Sequence, residues 1–447
     1  MPELTKGINE SSPLKKQLSV VFSLAVPAML AQLSSIVMQY IDAAMVGRLG
    51  ANASAAIGVV SSSMWLLFGV VSACSTGFSV QVAQCVGAGK IERSRQITRQ
   101  AIMLVTAISV LLTIITALLS TILPKALGAD ESIAKDATEY FFIFALSLPF
   151  VMLVSLLSAL LECSGNMKVP SILNALLCAL DVVFNAICIF GFHLGVAGAA
   201  LGTLLSEVVV TVLLFYFALV KTPALRFTQS ENWKADQECV ARALKIAVPM
   251  AFDQIALCGA QIVTTAIVAP LGTIALAANS FGVTAEAFCY MPAYGIGAAA
   301  TTLVGQSAGA QKPQLAKRFA WLTVALGIAM MFLTGAIMYA ASPAVFAFLT
   351  PNKDVCELGV KVLRIELFAE PLFGAYIVAS GALRGVGDTL VSGIMNLVSL
   401  WGVRITLSFI LARTMGLKGV WIAMCAELCF RGTLFLIRLS MQKWKKL

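Results

Sequence analysis

Twelve apolar runs divide the chain: 18–43, 55–80, 97–123, 138–161, 171–190, 196–219, 242–269, 278–304, 316–341, 362–383, 390–412 and 418–440. Each is long enough to cross a bilayer, which takes about 20 residues of helix. In hydrocarbon every backbone N–H and C=O must be satisfied within the span or within a closed barrel. The runs are continuously apolar instead of alternating over ten-residue strands, so they predict helices. Composition agrees. The 447 residues are 59% hydrophobic and 12% charged, with a mean hydropathy of +0.91, whereas soluble domains carry about 25% charged residues. There is too little polar surface to cover a soluble fold. The sequence predicts an all-α membrane protein with twelve transmembrane helices.

Seventeen mostly polar residues precede the first run, and no small-residue cleavage site follows a short apolar core, so the first run is expected to remain as a helix. The net charge of +9 would suggest nucleic acid in a soluble chain. Here the positive-inside rule accounts for it. With both termini cytoplasmic, 22 of the 31 Lys and Arg fall on the cytoplasmic side, 8 on the other, and Arg404 within a span. The expected partner is therefore the lipid bilayer, with no nucleic acid and no obligatory second subunit. The basic ending QKWKKL suits an anionic leaflet.

Eleven cysteines (74, 85, 163, 178, 188, 239, 258, 289, 356, 425 and 429) include no C-x-x-C pair, and the one histidine, His193, falls in a short loop. Small polarizable packing residues explain the thiols. Neither a disulfide framework nor a His/Cys metal site is indicated. No nucleophile–base set or Gly-rich phosphate loop appears, so no enzyme and no organic cofactor is expected.

Shifted by 222 residues, the sequence partly matches itself. Val26-Pro27 falls on Val248-Pro249, Gln32 on Gln254, Gln39 on Gln261, and Leu49-Gly50 on Leu271-Gly272. Gln84 falls on Gln306, Lys90 on Lys312, Pro149 on Pro371, Gly165 on Gly387 and Asn174 on Asn396. The chain is thus expected to be two pseudo-symmetric six-helix bundles: an N-lobe over 1–220, a cytoplasmic linker over 221–245 and a C-lobe over 246–447. Six spans per repeat make the repeats parallel. Two like lobes around a cleft suit a transporter working by alternating access, and a channel would be built the same way.

Ionisable residues inside spans are costly and mark function. Asp42 closes the first span. Asp181 and Asn185 lie four apart in the fifth and share a helix face. Thr203 starts the sixth, with Glu207 one turn on. Two carboxylates, an amide and a hydroxyl could hold Na⁺, with Asp42, Asp181 and Asn185 as ligands, or could share a proton. In the second half Asp253 follows Pro249, Glu286 precedes Pro292 by six residues, and Arg404 stands within a span as the only intramembrane cation. Arg404 could pair with Glu370, line the cleft or snorkel. Glu286, Asp253, Gln39, Gln261 and Arg404 are candidate substrate-cleft residues. Pro27, about ten residues into the first span, is either a simple bend or a hinge.

The VP…Q opening of each half, IDAAMVGRLG, GVAGAALGT, LVGQSAGA and LRGVGDT together resemble the multidrug and toxic compound extrusion (MATE) family over nearly the whole chain. The resemblance implies V-shaped lobes and cation-coupled export of small organic molecules, amphipathic and often cationic drugs, across a bacterial inner (plasma) membrane. Asp42 matches the family's span-1 aspartate, followed here by Ala43 instead of threonine. In the DinF-like branch an Asn-x-x-x-Asp pair of span 5 and a span-6 threonine complete the first-lobe site. These align with Asp181, Asn185 and Thr203, the pair being inverted here. The acidic positions of the NorM-like branch align with Leu257 and Phe373, so the resemblance favours the DinF-like branch. It implies coupling through Asp42, Asp181, Asn185 and Thr203, with H⁺ or Na⁺ as the counter-ion. A lipid-linked sugar flippase of the same superfamily and a passive permease are the alternatives.

Overall fold

The computed structural model describes residues 12–127, 130–227 and 236–441. Seven helices carry the first half: α1 (Leu14–Gly47), α2 (Ala51–Gly87), α3 (Ile91–Leu119), the short α4 (Leu123–Ala126), α5 (Glu131–Cys163), α6 (Lys168–Ala186) and α7 (Gly195–Tyr216); α8 (Gln237–Val268) leads into the second. That half continues with α9 (Thr273–Gly309), α10 (Pro313–Leu349), α11 (Lys353–Glu366), α12 (Glu370–Gly385), α13 (Thr389–Leu397), α14 (Thr406–Met415) and α15 (Leu417–Met441). Single π-helical stretches extend α6 and α7 and join α13 to α14. Large apolar side chains stand outward along these helices, as hydrocarbon permits: Leu118, Ile172 and Phe348 are 70%, 66% and 91% exposed.

The duplication is visible in the backbone. Residues 51–87 and 273–309 each form one helix, and so do 91–119 and 313–349, at the 222-residue offset in their starts. Turns repeat too. Gly50 and Gly272 have φ of 114° and 102°, and Gly165 and Gly387 have 98° and 81°. Those angles are left-handed space that glycine enters at little cost, so these repeated glycines are set by the turns they make.

Among the described residues eleven helices are long and apolar enough to cross a membrane, against twelve expected. The difference is the tenth span. Its counterpart in the first half is the unbroken α5, which runs through Pro149. In the second half the same stretch divides into α11 and α12 at Leu367–Ala369, just before Pro371. Proline leaves the carbonyl four residues back without its donor. The same proline only bends α5, so it does not break a helix here alone.

The chain divides into two compact units. Among the described residues, unit 1 takes those of 33–248 and unit 2 takes 12–32 with 249–441. The expected lobes, 1–220 and 246–447, therefore need correction: the start of α1 belongs with the second half and the start of α8 with the first. Close backbone approach explains both exchanges. A Cβ on Gly295 of α9 would lie 2.6 Å from Met29 N, and one on Gly77 of α2 would lie 2.7 Å from the Ala243 carbonyl oxygen of α8. The expected linker 221–245 is helical from Gln237 onward, and its residues 228–235, like the QKWKKL ending, lie outside the described residues.

Unit 1 is filled by clusters around Leu156, Leu157, Leu160 and Leu161 and around Phe141, Phe144 and Leu148. Unit 2 is filled around Met331, Phe346, Leu363 and Trp421.

Candidate cation site

Three helices of unit 1 bring the first site together. Asp42 lies on α1, five residues before its end, Asp181 and Asn185 lie on one face of α6, and Thr203 lies on α7. Asn185 Nδ2 donates to Asp42 Oδ1 at 3.0 Å and to Asp181 Oδ2 at 2.9 Å. One amide thus bridges two carboxylates. The inverted order of the pair on α6 does not separate it from Asp42. Asp181 and Asn185 are each 1% exposed, and Asp181 Oδ1 and Asn185 Oδ1 have no hydrogen-bond partner. The Thr203 hydroxyl donates to the Ala199 carbonyl at 3.2 Å and neighbours Asp181, as does Glu207. Tyr140 of α5 lies beside both aspartates; it is a phenol the sequence reading did not single out.

Small residues allow this approach. A Cβ on Gly202 would run into Asn185 Oδ1 and lie 2.6 Å from Asn185 N, and one on Gly198 would lie 3.0 Å from the Cys188 carbonyl. The Gly198-x-x-x-Gly202 spacing seats α7 on α6 as small-xxx-small pairs do in membranes. Directly after Asn185 and Ala186, α6 winds into a π-helical turn over Ile187–Gly191, a local irregularity common at functional sites.

With Asp181 buried and Asp42 half-buried, two carboxylates on one amide disfavour both being charged without a positive partner. The donor set is all oxygen, and two of its buried oxygens are unsatisfied. It fits a hard cation such as Na⁺, or a proton shared by the aspartates.

The other sequence-predicted residues do not join this group. Gln39 and Gln261 are exposed. Asp253 accepts from Asn396 Nδ2 at 2.8 Å in unit 2. Arg404, half-buried, directs Nη2 at Met424 Sδ, and no ion pair to Glu370 forms. Pro27 lies inside the continuous α1. Arg404 is not the only cation within a span, because Arg431, inside the last apolar run 418–440, is buried in α15. It pairs with Glu427 at 3.0 Å, and its guanidinium lies 4.3 Å from the Tyr376 ring centre. Ser399 Oγ donates to the same Glu427 at 2.6 Å. This i,i+4 pair was legible in ELCFR. Glu286, buried, meets Glu366 and Glu370. The eleven cysteines are free thiols.

Comparison with known proteins agrees with the repeat. The MatE family profile matches residues 27–187 and again 249–410. A probable multidrug resistance protein NorM of Thermotoga maritima is 27% identical, the match covering 98% of this chain and 94% of that one. A probable multidrug resistance protein YoeA of Bacillus subtilis is 25% identical over 94% of this chain and 93% of its own. Among solved structures, a MOP superfamily transporter from Pyrococcus furiosus superposes with a TM-score of 0.92 at 18% identity over 99% and 98% of the two chains. An outward-facing MATE family transporter gives 0.91 at 19% identity over 96% and 97%. The NorM names among the relatives give no support to the DinF-like assignment. With the family profile seated once on each repeat and the fold shared over the full length, the chain belongs to the MATE family of membrane transporters.

Proposed function

We propose that the protein exports amphipathic, often cationic, organic compounds from a bacterial cell in exchange for an inward-moving Na⁺ or H⁺. The observation that carries this is the Asp42–Asn185–Asp181 bridge of unit 1, with its unsatisfied buried oxygens. Multidrug resistance in the names of the relatives supports the substrate class.

The chemistry follows from charge balance. With a cation held, the end of α1 and α6 are drawn to one centre. Without it, the two carboxylates repel, and the arrangement of α1 against α6 and α7 loses its partner. A cation therefore biases one arrangement of unit 1 over another, which is what coupling requires. Each inward charge contributes about 2.3 kcal/mol per 100 mV of membrane potential, and about 1.4 kcal/mol is a tenfold change in affinity. For an uncharged compound one cation at 100 mV corresponds to roughly 40-fold accumulation outward; for a monovalent organic cation such as ethidium a one-for-one exchange is electroneutral, and the Na⁺ or H⁺ concentration gradient supplies the drive. Pro27 lies five residues before α1 passes from unit 2 to unit 1. In this reading it is the hinge that lets the Asp42 end move, and both termini are cytoplasmic.

Ethidium accumulation in energised cells lacking their own exporters tests this. Expressing the wild type should lower accumulation, and Asp42→Asn should restore it at equal protein level. Equal accumulation in the two would end the proposal.

A further inference from the structure

Pro343 stands inside α10. Proline has no N–H, so the Tyr339 carbonyl four residues back loses its helical donor. Two side chains replace it. Ser342 Oγ donates to that carbonyl at 3.0 Å, and Arg364 Nε of α11 donates to it at 3.3 Å. Arg364 Nε also donates to Ser342 Oγ at 3.1 Å. The guanidinium carbon lies over the Tyr339 ring, 4.6 Å from its centre, within cation–π range. Among the described residues no carboxylate pairs with Arg364, and no hydrogen bond uses its Nη1 or Nη2. The ion pair of α11 joins Lys361 to Glu357 instead. We infer that Arg364, with Tyr339 and Phe368, forms a binding site for the headgroup phosphate of an anionic phospholipid.

The site lies at the depth where lipid phosphates begin. The 37 residues of α10 make a helix about 55 Å long, against about 30 Å of hydrocarbon. Centred there, the helix overhangs by about 12 Å at each end. Tyr339 lies about 15 Å from the end of α10 at Leu349, which is close to the hydrocarbon boundary. Toward the bilayer centre the exposed side chains are apolar. Ala336 and Phe332 continue the Tyr339 stripe of α10, and both are exposed. Phe368, 74% exposed in the break between α11 and α12, stands edge-on to the Tyr339 ring with centroids 6.0 Å apart. A phosphate at Arg364 thus continues into a surface suited to acyl chains.

The repeat shows that the fold does not need this arginine. At the 222 offset Tyr339, Pro343 and Arg364 fall on Ala117, Thr121 and Phe142. Phe142 is exposed, so unit 1 presents an ordinary apolar side chain there. Ser342 falls on Ser120, whose Oγ donates to the Ala117 carbonyl at 2.7 Å. The serine is common to both units; the proline, the tyrosine and the arginine occur together in unit 2. A cation facing lipid without a counter-charge is costly. An arginine that only snorkelled would keep its whole arm free to follow water. Here Nε is tied to α10, and the fork that remains matches phosphate through two N–H groups.

Native mass spectrometry of the purified full-length protein tests the site. The protein is titrated with dioleoyl phosphatidylglycerol, with dioleoyl phosphatidylcholine, and with glycerol phosphate, which has the anion and no chains. Wild type should bind one phosphatidylglycerol at least about tenfold more tightly than phosphatidylcholine. Arg364→Gln should lose that preference. Lys353→Gln, which removes the same charge at the start of α11, should keep it. Equal affinity for the two lipids in wild type, or an unchanged preference in Arg364→Gln, would overturn the site. An equal loss in Lys353→Gln would show a diffuse charge effect and overturn it as well. Glycerol phosphate displacing the lipid at equal concentration would make this a site for free phosphate groups and end the lipid assignment. If Arg364→Gln is not monodisperse, Arg364→Phe, with the side chain unit 1 carries at this position, is read in its place with the same expected loss.

Discussion

Gly202→Ala places one methyl group where α7 meets Asn185. The new Cβ would collide with Asn185 Oδ1, a side-chain atom that can move. It would also lie 2.6 Å from Asn185 N and 2.9 Å from its Cα, which are backbone and cannot move without α6. Carbon needs about 3.5–4.0 Å to its neighbours, so α6 and α7 must separate by close to an ångström, or the amide must rotate off the two aspartates. Overpacking of this kind costs about 1–3 kcal/mol. Gly198→Ala meets backbone at 3.0–3.1 Å, and Gly58→Ala meets nothing within 4 Å. The apparent melting temperature in detergent should therefore fall most for Gly202→Ala, less for Gly198→Ala, and not at all for Gly58→Ala. Gly202→Ala should also lose ethidium efflux at matched expression. Equal melting temperatures for Gly202→Ala and Gly58→Ala would refute the packing argument. Normal efflux despite a large loss of stability would refute the link from packing to the site.

Glu427→Gln leaves Arg431 buried without its carboxylate, and thermal unfolding should show a loss of about 3–5 kcal/mol. Replacing both residues by leucine should recover much of that. Asn185→Leu removes two hydrogen bonds to carboxylates, each worth about 1.5–3 kcal/mol. It should weaken ²²Na⁺ binding or proton uptake at unit 1 at least tenfold. Asp236, just before α8, accepts from the N–H groups of Cys239 and Glu238 and pairs with Arg93. These contacts, the Cys239 N–H foremost, hold its carboxyl below the usual range. A lowered folded pKa contributes stability above the unfolded value of about 3.9. The stability gap to Asp236→Asn should be full at pH 7 and shrink as pH falls below about 4. A gap independent of pH would exclude the ionised form as its source.

Much of this protein is legible in its residues. Apolar runs gave eleven of the spans because hydrocarbon leaves a backbone few choices, and Gly50/Gly272 and Gly165/Gly387 marked the repeated turns. Asp181 and Asn185 were readable as a pair because four residues is one helical turn. Their meeting with Asp42 is a tertiary fact, which the repeat and the resemblance pointed to and the spacing could not supply. The exchanged starts of α1 and α8 were not readable, because they depend on backbone approach at Gly295 and Gly77 and leave no period. The break in the tenth span was hidden because Pro149 and Pro371 are identical in sequence and differ in effect. The unit 2 glutamates were half visible. Glu286 stood out inside its span, but Glu366 was passed over although E-x-x-x-E-P ahead of an apolar run is a pattern of like charge at helical spacing.

Transport in proteoliposomes under imposed gradients tests the central claim most directly. Labelled ethidium is followed with a Na⁺ gradient, a pH gradient or neither, for wild type and Asp42→Asn. The account predicts uphill movement of ethidium with one gradient, none without, and none for Asp42→Asn under either. Gradient-independent flux, or normal driven flux in Asp42→Asn, would contradict it.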